Sequence, residues 1–174
     1  MSRICALPEP ATILIAIGAN LPSRGGSAPL ATCQATAAAL DTLLGMRLIA
    51  LSRWWLSAPM PPSDQPDYVN GIARLAGNVA PDALLAALQG LEQEAGRVAG
   101  KRRNAARALD LDIIAIGNLV RRTEAPILPH PRAHLRAFVL APLAEVAPGW
   151  RHPALGRTVD ELLAGLPPQR LRPI

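Results

Sequence analysis

The most chemically loaded pattern in the chain is Leu109-Asp110-Leu111-Asp112-Ile113-Ile114. In an extended strand, side chains alternate between faces, so Asp110 and Asp112 point the same way with Cα atoms ~7 Å apart. The leucines beside them take the opposite, apolar side. Two neighbouring carboxylates repel, and a divalent cation relieves the repulsion. Magnesium accepts one or two carboxylates and completes its octahedron with water and phosphate oxygens. Two such ions can flank a phosphoryl group during an in-line displacement. An Asp-x-Asp pair alone also suits a solvated edge strand, so the neighbours matter. Arg97, Lys101, Arg102, Arg103 and Arg107 crowd into eleven residues, 97–107, just ahead of it. Arg97 and Arg107 are suited to phosphate oxygens, because a guanidinium presents a fork of donors that matches them. These four residues, Arg97, Arg107, Asp110 and Asp112, are the candidate catalytic set, with both aspartates as metal ligands.

Two further motifs carry recognition chemistry. In Asp64-Gln65-Pro66-Asp67-Tyr68-Val69-Asn70, a turn leads into a strand that places Tyr68 and Asn70 on one face. An aromatic ring beside an amide can read a flat heterocycle, the ring by stacking and the amide by paired hydrogen bonds. In Leu128-Pro129-His130-Pro131-Arg132, His130 can donate to a phosphate, and Arg136 and Phe138 follow closely. The chain has one Tyr and one Phe, and both fall inside these motifs. His134 and His152 show no metal-ligand spacing with His130.

These residues need elements to position them. An Ile-rich apolar run predicts a strand over 11–18. An Ala/Leu-rich stretch predicts a helix over 30–44. An extended run follows over 46–57, ended by prolines. Strands are expected over 68–75 and 108–116. Between them lies a helix over 82–95 opened by Pro81, with Leu84, Leu85, Leu88 and Leu91 on its apolar side, followed by a basic loop over 96–106. Helices over 132–145 and 159–166 complete the reading. This order predicts an α+β, ferredoxin-like βαββαβ sandwich, with helices on one face of a mainly antiparallel sheet. The expected domain is single, over 1–174, with 1–10 as an N-terminal extension and 149–174 as a C-terminal segment.

Bulk properties exclude other classes. Half of the 174 residues are hydrophobic and 18% are charged, which is globular composition rather than disorder. Glu9 and two prolines interrupt the N-terminal apolar residues, so neither a signal peptide nor a membrane span is expected. Two cysteines make no disulfide framework, and the expected compartment is the cytoplasm. The formal net charge of +5, concentrated in the Arg/Lys-rich middle of the chain, calls for an anionic partner or a solvated loop. Five aromatic residues are too few for an RNA-stacking sheet, so a phosphorylated small molecule is expected and nucleic acid is not. Nothing points to a dimer, and a monomer is expected.

The ordered motifs resemble the 6-hydroxymethyl-7,8-dihydropterin pyrophosphokinases of folate biosynthesis. The matching pieces run from Ile15-Ala16-Ile17-Gly18-Ala19-Asn20-Leu21 through the Tyr68, Arg97, Asp110 and His130 motifs to Arg136-Ala137-Phe138-Val139-Leu140 and Pro148. The resemblance implies transfer of pyrophosphate from ATP to the pterin's hydroxymethyl group, releasing AMP, with two magnesium ions on Asp110 and Asp112. It implies nucleotide contacts from Gln89, Arg97, Arg107, Ile113, His130 and Arg136, with Glu92 on the same helix. It implies pterin contacts from Gly18, Ser57, Ala58, Met60, Tyr68, Asn70 and Phe138. Residues 103–108 read Arg-Asn-Ala-Ala-Arg-Ala where the family commonly has Arg-Trp-Gly-Pro-Arg-Thr. The alternative is therefore a paralogous pterin kinase or pterin-binding protein with another substrate or weak activity.

Overall fold

The computed structural model describes residues 10–97 and 105–174. Most of the expected basic loop, including Lys101, Arg102, Arg103 and Asn104, lies outside the described residues. Strand β1 (Ala11–Ala19) is followed by helix α1 (Pro29–Leu40), strands β2 (Arg47–Leu51), β3 (Trp55–Ser57) and β4 (Tyr68–Gly77), and helix α2 (Pro81–Glu94). Strand β5 (Asp110–Ile116), helices α3 (Ala137–Val146) and α4 (Val159–Ala164), and strand β6 (Leu171–Pro173) complete it. The sheet order is β5-β1-β4-β3-β6, with β2 also on β4, and every pairing is antiparallel. This is the ferredoxin-like arrangement.

Alternation along β1 organises the core. Ile13, Ile15 and Ile17 face α1 and α2, where Cys33, Ala37, Leu40, Leu84 and Leu88 pack on them. Pro at the first turn opens both helices, a position whose N–H has no intrahelical acceptor. Leu14, Ile72 and Ile114 face the other way, into a second cluster with Val139, Leu140 and Leu143 of α3 and Val159 and Leu162 of α4. Helices therefore cover both faces, where the sequence suggested one. The α3–α4 layer is an addition to the βαββαβ core, and the apolar second face of β1 and β4 requires it.

Two expected elements are interrupted. The extended run over 46–57 is two strands, both on β4. At the break, Ser52 exchanges bonds with Ile72: its N–H donates to the Ile72 carbonyl at 3.0 Å, and its hydroxyl accepts from the Ile72 N–H at 2.9 Å. Trp54 turns inward there against Gly71, where an added Cβ would meet the indole at 2.6 Å. The helix expected over 132–145 is split into a single turn, Ala133–Leu135, and α3. Arg136 between them is extended, with φ −124° and ψ 111°. Among the described residues no helix is long and apolar enough to cross a membrane.

Candidate active site

The open floor of the sheet lies at the α3 side of β1. Register places Gly18 between Asp110 of β5 and Asn70 of β4, and Ala16 between Asp112 and Ile72. Small residues on the central strand keep this floor low. A Cβ at Gly18 would stand 3.6 Å from Asn70 Oδ1, so a side chain there would fill the cavity above rather than strain the backbone. That cavity measures about 470 Å³, and its walls include Ser57, Ala58, Met60, Tyr68, Asn70 and Phe138. Arg97, Arg107, Asp110, Asp112, Arg132 and Arg136 line its polar end. The chain's one Tyr and one Phe thus face a common space with both aspartates.

Side chains here are fixed by local bonds. Asn70 is buried, and its Nδ2 donates to Ser57 Oγ at 3.0 Å and to the Tyr68 carbonyl at 3.1 Å. The Tyr68 hydroxyl has two acceptors for its one proton, Gln65 Oε1 at 3.2 Å and the Ala105 carbonyl at 3.3 Å. The Arg136 guanidinium sits 5.4 Å from the centre of the Phe138 ring, within cation–π range.

The two aspartates have different partners. Asp110 forms an ion pair with Arg107, and Arg97 stands 3.5 Å from it. Burial, then repulsion from Asp112, pushes the Asp110 carboxyl above its usual value, against the pull of the arginines. Asp112 lies 3.6 Å from His130 Nε2 and 3.9 Å from Arg136. Burial pulls the His130 imidazole below its usual value. Among the described residues, no group of three or more His, Cys, Asp or Glu side chains is arranged to hold a metal. A hard cation at these two half-buried carboxylates would complete its shell with water and ligand oxygens, the donor set that magnesium accepts.

A second cavity of about 610 Å³ shares Arg97, Ala105 and Arg107 with the first and adds Gln89, Glu92 and residues 21–24. Gly96 closes its rim: φ is +109°, and a Cβ would press on Arg24 at 3.2 Å. Both features favour glycine. Glu92 is 2% exposed. It accepts from the Leu111 N–H at 2.9 Å and pairs with Arg97, so it fastens α2 to the strand bearing both aspartates. Burial pushes its carboxyl up.

Most expected site residues converge on these two cavities. Ile113 does not: the alternation that turns Asp112 outward sends Ile113 into the core, 5% exposed. From there its reach to a ligand is by main chain. His130 reaches the first cavity through Asp112. Sequence reasoning gave no role to Gln65 and Arg132, which line the first cavity, or to Asn20. Asn20 is buried. Its Nδ2 donates to the Pro66 carbonyl at 3.1 Å, while its Oδ1 accepts from the Arg107 N–H at 2.8 Å. One amide thus ties the turn before Tyr68 to the backbone of Arg107. The available signal was an amide directly after a buried strand.

Comparison with known proteins gives the family. The family model for 7,8-dihydro-6-hydroxymethylpterin-pyrophosphokinase matches residues 14–148. The 2-amino-4-hydroxy-6-hydroxymethyldihydropteridine pyrophosphokinase of Pseudomonas aeruginosa is 43% identical over 155 residues, 89% of this chain and 91% of that protein. Its namesake in Haemophilus influenzae is 40% identical over 136 residues, 78% of this chain and 81% of that protein. Among solved structures, wild-type Plasmodium falciparum HPPK-DHPS with pteroate superposes with a TM-score of 0.66 at 11% identity. That match covers 91% of this chain and 43% of the longer one, and supports the fold alone. With the family model spanning the strands and loops that carry both cavities, the chain belongs to the 7,8-dihydro-6-hydroxymethylpterin-pyrophosphokinase family.

Proposed function

We infer that the chain transfers pyrophosphate from ATP to the hydroxymethyl group of 6-hydroxymethyl-7,8-dihydropterin, releasing AMP, as a step of folate biosynthesis. One observation beyond family membership carries this reading. The Asp110–Asp112 pair opens into the same 470 Å³ cavity as Tyr68, Asn70 and Phe138, so a flat heterocycle and a metal-bound phosphate chain can meet there.

In the reaction, the pterin's hydroxymethyl oxygen attacks the β-phosphorus of ATP. The bond from that phosphorus to the oxygen bridging the α-phosphate breaks, AMP leaves with the electron pair, and the hydroxyl proton is released. Tyr68 and Phe138 would flank the pterin. Asn70 would meet its polar edge, and Gly18, Ser57, Ala58 and Met60 would shape the slot. Arg97 and Arg107 would stabilise the transferring phosphates from the junction of the cavities. Gln89, His130, Arg136 and the main chain at Ile113 would hold the nucleotide. Asp110 and Asp112 would hold two magnesium ions, which when bound supply charge neutralisation at the phosphates. No covalent enzyme intermediate is required, since positioning and preorganised charge suffice. The reading also takes the chain as one working domain, acting as a cytoplasmic monomer on small molecules and not on nucleic acid or membranes.

The test is AMP release against a panel of pterins with ATP, with and without a chelator and with magnesium restored. Strongest turnover with 6-hydroxymethyl-7,8-dihydropterin and magnesium is expected. No AMP with that pterin at saturating ATP and metal refutes the reading, and greater turnover with another pterin makes the chain a paralogue.

A further inference from the structure

Helix α3 begins at the residue after Arg136, and the Arg136 side chain makes no capping bond. Its first N–H groups therefore need an outside acceptor. Gln169, 32 positions downstream, supplies one: its Oε1 accepts from the Ala137 N–H at 2.9 Å. The same amide's Nε2 donates to the Leu135 carbonyl at 3.1 Å. Leu135 and Ala137 flank Arg136, so a single side chain clamps the backbone on both sides of it, and Phe138 follows directly.

The chain continues from Gln169 to the opposite wall. The Ala58 N–H donates to the Arg170 carbonyl at 3.4 Å, and β6 pairs with β3, Leu171 opposite Ser57 and Pro173 opposite Trp55. The Ile174 N–H donates to the Trp54 carbonyl at 2.9 Å. The Arg170 guanidinium reaches Asp67 at 2.5 Å, beside Tyr68. One short segment thus holds the Phe138 side and the Ser57–Ala58 side of the cavity at a fixed separation. It lies beyond the stretch that the family model matches, which ends at residue 148.

We propose that this strap sets the width of the pterin slot, with Gln169 as a positioning residue for Arg136 and Phe138. The proposal rests on the pterin reading of the first cavity. Gln169 touches no reacting atom; it acts through the start of α3. Loss of its two hydrogen bonds lets that turn shift, so the effect falls on pterin affinity before chemistry.

The experiment compares Gln169→Ala, Gln169→Glu and a control, Thr158→Ala, which breaks the capping box of α4 away from the slot. Pterin dissociation constants are measured by intrinsic fluorescence with a non-hydrolysable ATP analogue present, alongside KM, kcat, Tm and hydrogen exchange at Ala137. Gln169→Ala is expected to weaken pterin binding roughly tenfold, the equivalent of two lost hydrogen bonds, and to speed Ala137 exchange. Gln169→Glu keeps the acceptor for the Ala137 N–H but loses the donor to the Leu135 carbonyl, so it is expected to restore slow Ala137 exchange and to recover only part of the affinity. Thr158→Ala is expected to lower Tm with pterin affinity unchanged. The strap proposal is overturned if Gln169→Ala binds pterin within twofold of wild type, or if Thr158→Ala weakens binding as much. A wild-type protein that binds the pterin yet forms no AMP overturns the catalytic reading alone, and the Gln169 contrast still decides the strap. A wild-type protein that binds no pterin overturns both.

Discussion

Replacing Glu92 by Ala tests how the strand bearing the aspartates is anchored. Glu92 is 2% exposed, and the Leu111 N–H that it accepts at 2.9 Å lies on the edge strand, between Asp110 and Asp112. Without that acceptor the N–H is orphaned in a buried place, at a cost of ~1–3 kcal/mol. Arg97 also loses one of its two carboxylate partners, but its side chain is 37% exposed, so solvent limits that share to under ~1 kcal/mol. The sum is about 1–4 kcal/mol, which for a domain of this size lowers Tm by about 2–16 °C. Glu92→Gln keeps an oxygen for Leu111 and gives up only the charge facing Arg97, so it is expected to stay within ~1 kcal/mol of wild type. Thermal unfolding at neutral pH reads both variants, and AMP release well below either Tm reads whether strand and arginine keep their places. The reasoning fails if Glu92→Ala melts with the wild type, or if Glu92→Gln is as damaging as Glu92→Ala.

Asp110→Ala or Asp112→Ala is expected to cut AMP release by at least ~100-fold while leaving pterin binding largely intact, because each removes a ligand for charge on the phosphates; wild-type turnover in either variant refutes the metal assignment. Gly71→Ala would put a methyl group 2.6 Å from the Trp54 indole and is expected to destabilise by ~1–3 kcal/mol. Adding Trp54→Leu should make the pair less than additive, and strict additivity in denaturant titrations would show that the contact is not the cause. His152 is buried, and burial, then the neighbouring His134, pulls its imidazole below the usual 6.5. The folded state therefore takes up a proton less readily than the unfolded chain. Its stabilising contribution is complete above pH 6.5 and is lost as pH falls below that. Nδ1 of His152 accepts from the Ala154 and Leu155 N–H groups, so His152→Asn keeps an acceptor and should flatten the fall in Tm from about pH 7 to 5. An unchanged slope would remove His152 from the acid limb.

What could be read from the sequence follows the reach of its signals. An Ile-rich apolar run marked β1, and alternation put Asp110 and Asp112 of β5 on one face, because period-two patterns are written in adjacent residues. Tyr68 and Asn70 were legible for the same reason. The two-sided helical cover was not, since the sequence of α3 does not say which face of the sheet it will meet. The break at Ser52 was hidden because a hydroxyl that completes a ladder looks like any loop serine. Arg136 was read into a helix because local propensity favours one, while the acceptor that fixes the true start of α3 lies in Gln169. Strand β6 is three residues long and includes Pro173, so only its partner β3 makes it a strand. Asn20 and Glu92 act through bonds to residues distant in the chain, and such bonds leave no periodic trace.

The pairing of β1 with β5 slips by one residue: Leu14 faces Ala115, yet Ile15 faces Ile113. Ile114 is the extra residue, and it and Ala115 both join the cluster under α3, while Ile113 and Ile116 join the cluster under α2. The bulge divides β5 into two lengths whose inside and outside are counted separately. One length carries carboxylates to the cavity, and the other carries apolar anchors to both faces. Pairing the strand without the bulge, with all seven residues kept, would put the two lengths on a single count. Either the aspartates would turn into the core or Ile116 would turn out of its own cluster. One unpaired residue thus lets the chemistry and the anchoring of a seven-residue strand answer to different constraints.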